Sequence, residues 1–216
     1  MRSHVFLALT RRVRGALAAL TLTPLAAPVA AGSLVFVALS GAAVQADASL
    51  HLEVTLDHLV KISDLAVEGI PEESRSLWEE VPGGGRRIVT YTRVHVAQAA
   101  YGDAGKDVWV RTLGGQVGDV GQKVEGEALL VPGERSVLFL KTFPDGPSRV
   151  VEMAQGQYLV RPEAKVDRLL LSPYLGKVLP SRDEKERSRA ARVLLHGRPL
   201  GEAIAAIRLA RKDAGR

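Results

Sequence analysis

The residues of this 216-residue chain best suited to chemistry fall on two short stretches rich in β-formers. Tyr91, Arg93 and His95 recur at every second position, which puts all three on one face of an extended strand. Trp109 and Arg111 repeat that spacing further along, and the two sets become neighbours if their strands pair. Aromatic rings beside cations are how the faces of small barrels hold peptides, sugars or single-stranded chains. The same five side chains also make a cross-strand cluster that merely covers a sheet, and both readings stay open on sequence alone.

Other chemistries leave weaker traces. A hydrolytic site would have to bring Asp119, Glu125 or Glu127 to His95 in the fold, because no GxSxG or SxxK pattern supplies a nucleophile locally. His51, His58, His95 and His196 stand outside any HExxH pattern, although His51 and Glu53 would share one face of a strand. The glycines at 114, 115, 118 and 121 resemble a phosphate loop in composition, yet no GK[ST] ending follows, and Gly176 and Lys177 run into Val178. Hairpin turns account for them better. The absence of cysteine excludes disulfides, thiolate metal sites, a cysteine nucleophile and a lipoprotein anchor. No catalytic set, metal site or cofactor is expected.

The elements that must position these residues follow from periodicity. Thr55 is an N-cap candidate for a short helix ending at Ile62. Two-residue alternation then begins at Leu65 and runs toward Trp78, with an edge or bulge at Pro71. Glycines 83–85 make a turn, and the next strand sets Ile88, Thr90, Thr92, Val94 and Val96 against Val89, Tyr91, Arg93 and His95. Further strands are predicted over 108–113, 124–131, 136–140, 149–153 and 157–160, with a turn at Pro144, Asp145 and Gly146. Segment 136–140 is apolar on both faces, as a central strand would be. Beyond residue 180 the period lengthens. Ser181 and Glu184 open a helix expected to stop at Gly197, and Pro199 opens a second whose apolar face is Leu200, Ala203, Ile204 and Ile207. The fold class expected is mainly β: a small antiparallel barrel or sandwich with a short N-terminal helix and two C-terminal helices.

Residues 15–46 carry no charged side chain and follow Arg11, Arg12 and Arg14, the pattern of an export signal. Cleavage after Ala46 is the first expectation. An uncleaved membrane anchor is the alternative, because the uncharged run exceeds a usual signal core. Either way the body faces away from the cytoplasm, periplasmic or secreted. The leader holds four arginines and no acid, so the remainder has 25 basic against 24 acidic groups and no general affinity for nucleic acid is expected. Residues 181–216 hold ten basic and five acidic groups, so a polyanion or an anionic membrane could be argued only for that tail. The organisation read from these shifts is a leader at 1–46, a β-barrel or sandwich domain at 47–165, and a linker with a basic helical tail at 166–216.

Segments 110–115 (VRTLGG), 124–126 (VEG), 133–140 (GERSVLFL) and 154–156 (AQG) carry a resemblance. Over residues 55–160 the chain resembles a group of uncharacterised exported domains of high-GC bacteria, similar to OB-type or netrin-like barrels. The wider class includes metalloprotease inhibitors that bind zinc through an N-terminal cysteine, which this chain lacks. The resemblance implies a barrel more specifically than an activity. A non-enzymatic binding or accessory domain with an exported protein partner is therefore the first functional expectation. A secreted hydrolase and a membrane-associated envelope protein are the alternatives.

Overall fold

A computed structural model of the chain describes residues 50–144 and 146–215. The leader, the cleavage site at Ala46 and turn residue Asp145 lie outside the described residues. Among the described residues no helix is long and apolar enough to cross a membrane.

The fold is mainly β. Its principal sheet has the order β10-β9-β7-β2-β3-β4-β8. In chain order β2 is Leu65–Glu80, β3 Arg86–Tyr101, β4 Asp107–Leu113, β7 Ser136–Phe143, β8 Gly146–Val150, β9 Gln157–Glu163 and β10 Val166–Leu171. Strand β8 pairs antiparallel with β7 and meets β4 in parallel at Val110 and Ser148, so part of the sheet curls into a ring. Two short pairs complete the strands: β5 (Gly115–Val117) with β6 (Val120–Gln122), and β1 (His51–Leu52) with β11 (Val178–Leu179).

Two cores lie on opposite faces of β2 and β7. One packs Val67, Val94, Val110, Leu138 and Leu140, with Ala128 and Leu130 from a following segment against them. The other packs Val137, Phe139, Tyr158 and Leu169 under the helices. That explains why β7 is apolar on both faces, with Leu138 in one core and Phe139 in the other. Each such side chain contributes about 1.5–3 kcal/mol by leaving water.

Helix α1 (Leu56–Ile62) starts at Thr55, whose hydroxyl accepts from the His58 N–H. Strands β2 and β3 form a long ribbon from Ala66/Tyr101 to Glu80/Arg86, with register shifts between Ala66 and Val67, between Glu68 and Gly69, and between Pro71 and Glu73. The last shift falls where proline has no N–H to give the ladder. At the ribbon tip Gly83, Gly84 and Gly85 all have positive φ, a run that side-chain-bearing residues would resist.

Three sequence expectations need correction. Residues 124–131 do not form a strand, because side-chain and turn contacts take the place of ladder bonds there. The strand expected over 149–153 ends at Val150; Glu152 and Met153 take positive φ and a 3-10 turn follows at Met153–Gly156. The tail is not a linker with two helices. It begins with β10, which pairs with β9 along six positions, so a boundary at residue 165 divides a hairpin. Its helices are three: α2 (Glu184–Ser188), α3 (Ala191–Leu195) and α4 (Leu200–Ala214). The first expected helix breaks at Ala190, which bridges to Thr55 while the Val54 carbonyl accepts from the Ala191 N–H. On α4, Ala203, Ile204 and Ile207 are buried as the apolar spacing required. Two of its cations bind backbone: Arg208 donates to the Ala99 and Ala100 carbonyls, and Arg211 to those of Val60 and Ser63.

Candidate binding cleft

The five side chains singled out by spacing lie on one face of the β3–β4 pair. Tyr91 is opposite Arg111, Arg93 opposite Trp109, and His95 opposite Asp107. The charged members of the set bind neighbouring carboxylates. Arg111 is only 6% exposed and donates twice to Glu79, which also holds Arg87. Arg93 meets Glu72, Glu73 and Asp107, and the Glu73 contact leads in raising its already high pKa. Trp109, 45% exposed, is the main apolar surface on this face.

The opposite face of the same strands carries a concavity. Thr90, Thr92 and Thr112 alternate with the outward residues, and they floor a cleft of about 300 Å³. Hydroxyls continue onto β2, where Ser74 lies 2.9 Å from Thr92 and Ser76 2.8 Å from Thr90. The Thr90 hydroxyl also donates to the Gly114 carbonyl. Walls come from residues 113–115, 122–130 and 173–176, with Leu113, Leu129, Leu130 and Leu175 as the apolar part. Gly115 is required beside Thr90: a Cβ there would lie 2.3 Å from the Thr90 oxygen, and its φ of 129° is one side chains avoid.

Two carboxyls line this cleft, Glu125 and Glu127. Burial lifts Glu127 to about 7, against the opposing pull of the Ala128 and Leu113 N–H groups and of Arg111 and Arg149. Its position explains the contact with Leu113, because β4 touches β8 only at Val110 and leaves its edge unladdered beyond that point. Glu125 lies 3.5 Å from Lys123, whose side chain is 85% exposed.

Two glutamines hold the walls in place. The buried Gln157 accepts from the Leu129 N–H and the Ser172 hydroxyl, and donates to the Leu129 carbonyl at 2.7 Å. It therefore ties segment 123–131 to the loop at 172–176. Gln155 treats the N-terminal segment alike, accepting from the Val54 N–H and donating to the Leu52 carbonyl. Between them Gly156 admits no side chain, since a Cβ would stand 2.2 Å from the Val151 carbonyl oxygen.

The histidines are dispersed. His95 lies 3.3 Å from Asp107 on the outer face, His58 2.9 Å from Glu152, and the His196 Nδ1 accepts from the Leu171 N–H. His51 abuts Gly126 behind the cleft wall. The fold therefore places Glu125 and Glu127 together but keeps His95 out of the cleft lining, and Asp119 sits in the turn between β5 and β6. Among the described residues no three His, Cys, Asp or Glu side chains could hold a metal ion. Sequence reasoning named Glu125 and Glu127 but missed the threonine row as a floor; its signal was the polar content of an otherwise inward face. Comparison with protein-family models and with curated proteins finds no match to this chain.

Proposed function

We propose that this is an exported, non-enzymatic binding domain built on an OB-type barrel, and that its ligand seats in the cleft floored by Thr90, Thr92 and Thr112. The barrel reading is supported by the ring of pairings: β2, β3 and β4 meander, β8 runs parallel to β4, and β7 closes back onto β2. Export is supported by the uncharged run at 15–46 behind three arginines. The observation that carries the binding reading is the composition of the cleft. Apolar walls surround hydroxyls already bonded to each other, which suits holding a ligand more than activating a nucleophile.

A photo-crosslinking residue at Leu129, on the cleft rim, tests this against the same residue at Trp109 on the outer face. In the cell that makes the protein, a discrete adduct is expected from position 129 and none from 109. An adduct from 109 alone would move the site to the outer face.

A further inference from the structure

We infer that the cleft receives an extended peptide segment bearing a lysine or arginine side chain flanked by apolar residues, an inference that rests on the cleft being the ligand site. Charge complementarity selects the cation. The charged groups lining the cleft are Glu125, Glu127 and Lys123, and the lysine is turned to solvent beside Glu125. Once Glu127 is ionised, two carboxylates stand against one ammonium in the lining, so an anionic ligand would meet net negative charge there and a cation would be attracted. The other cations near Glu127 are held elsewhere: Arg111 by Glu79, and Arg149 over the Phe143 ring at 4.8 Å.

The walls select the rest of the ligand. Leu113, Leu129, Leu130 and Leu175 offer apolar contact to neighbouring side chains, and a volume of about 300 Å³ suits a few residues rather than a folded surface. Because Glu127 titrates near neutrality, the attraction strengthens as pH rises and the carboxyl ionises. Arg111 on β4 and Arg149 on β8 are the charges acting on it, and Lys123 and Glu125 lie on the same cleft wall.

The test uses the purified full chain and four fluorescently labelled tripeptides blocked at both ends: Leu-Lys-Leu, Leu-Arg-Leu, Leu-Gln-Leu and Leu-Glu-Leu. The two cationic peptides should bind about tenfold or more tightly than the Gln peptide, and the Glu peptide more weakly still. Affinity for Leu-Lys-Leu should rise several-fold between about pH 6 and pH 8 in the wild type and stay flat in Glu127→Gln. Leu129→Lys, at an exposed rim position, should weaken the cationic peptides and strengthen the Glu peptide whether or not Glu127→Gln folds. Equal affinities for all four peptides, preference for the Glu peptide, or no binding by any would overturn the cationic-peptide inference. If the Leu129 crosslink nonetheless persists, the cleft reading survives; if that crosslink is also absent, both fall.

Discussion

The side-chain amide of Gln157 pairs with both backbone groups of Leu129, so one residue's side chain replaces a strand ladder at the cleft wall. The Ser172 hydroxyl bonds the same amide oxygen. One buried side chain therefore holds the wall over the threonine floor at Leu129, as the Ala154 N–H holds it at the Gly126 carbonyl.

Replacing Gln157 by leucine should cost about 2–4 kcal/mol, because it strands the Leu129 N–H and carbonyl and the Ser172 hydroxyl with no partner of matching geometry. Chemical denaturation reads the loss. Peptide binding should fall more steeply than stability does, since the wall it positions lines the site. A midpoint unchanged from wild type would contradict the role given to this amide.

Glu127 makes stability depend on pH with a defined sign. Its ordinary value is 4.5 and the fold raises it to about 7, so the folded chain binds the extra proton between those values. Stability therefore falls as pH rises through that window, and the full cost is present above it. Glu127→Gln should remove this slope and stabilise the protein above about pH 8 by roughly 1–3 kcal/mol, as followed by denaturation across the pH range. A slope unchanged in the variant would assign it to another group.

Gly156→Ala places a methyl against the Val151 carbonyl oxygen, a backbone atom unable to swing aside. About 2 kcal/mol or more of destabilisation is expected by denaturation, with the turn that presents Gln155 and Gln157 displaced. Gly146→Ala, where nothing approaches a Cβ, is the matched control and should be near neutral.

Arg211 joins α4 to the end of α1. Its guanidinium donates to the Val60 and Ser63 carbonyls and lies 4.8 Å over the Tyr101 ring. Arg211→Met keeps the aliphatic stem and loses the donors, so about 1–2 kcal/mol should be lost by thermal or chemical denaturation. A tail whose basic residues served only solvent would give no change.

Where local pattern and burial agreed, the sequence was readable. The alternation through residues 88–96 put threonines and valines on one face and Tyr91, Arg93 and His95 on the other, as the strand has them, because a pleated strand sorts side chains strictly by parity. Thr55 capped its helix for an equally local reason. Residues 124–131 misled because extended, apolar segments look alike whether a strand or a glutamine side chain satisfies them. Strand β10 was hidden behind a turn with Ala164 at φ 54°, where glycine or asparagine would have signalled a reversal. The cleft was legible only in parts: Glu127 was visible as a carboxylate, but its burial and its hold on Leu113 depend on the gap between β4 and β8, which no local pattern encodes.

The most direct test is residue-by-residue mapping of amide chemical shifts in the full chain as the Leu-Lys-Leu peptide is added. Shifts should concentrate at Thr90, Thr92, Thr112, Glu127, Leu129 and Leu175, and leave Asp107 and Trp109 unmoved. Shifts confined to the Tyr91, Arg93 and Trp109 face, with the threonine row silent, would contradict a ligand in the cleft.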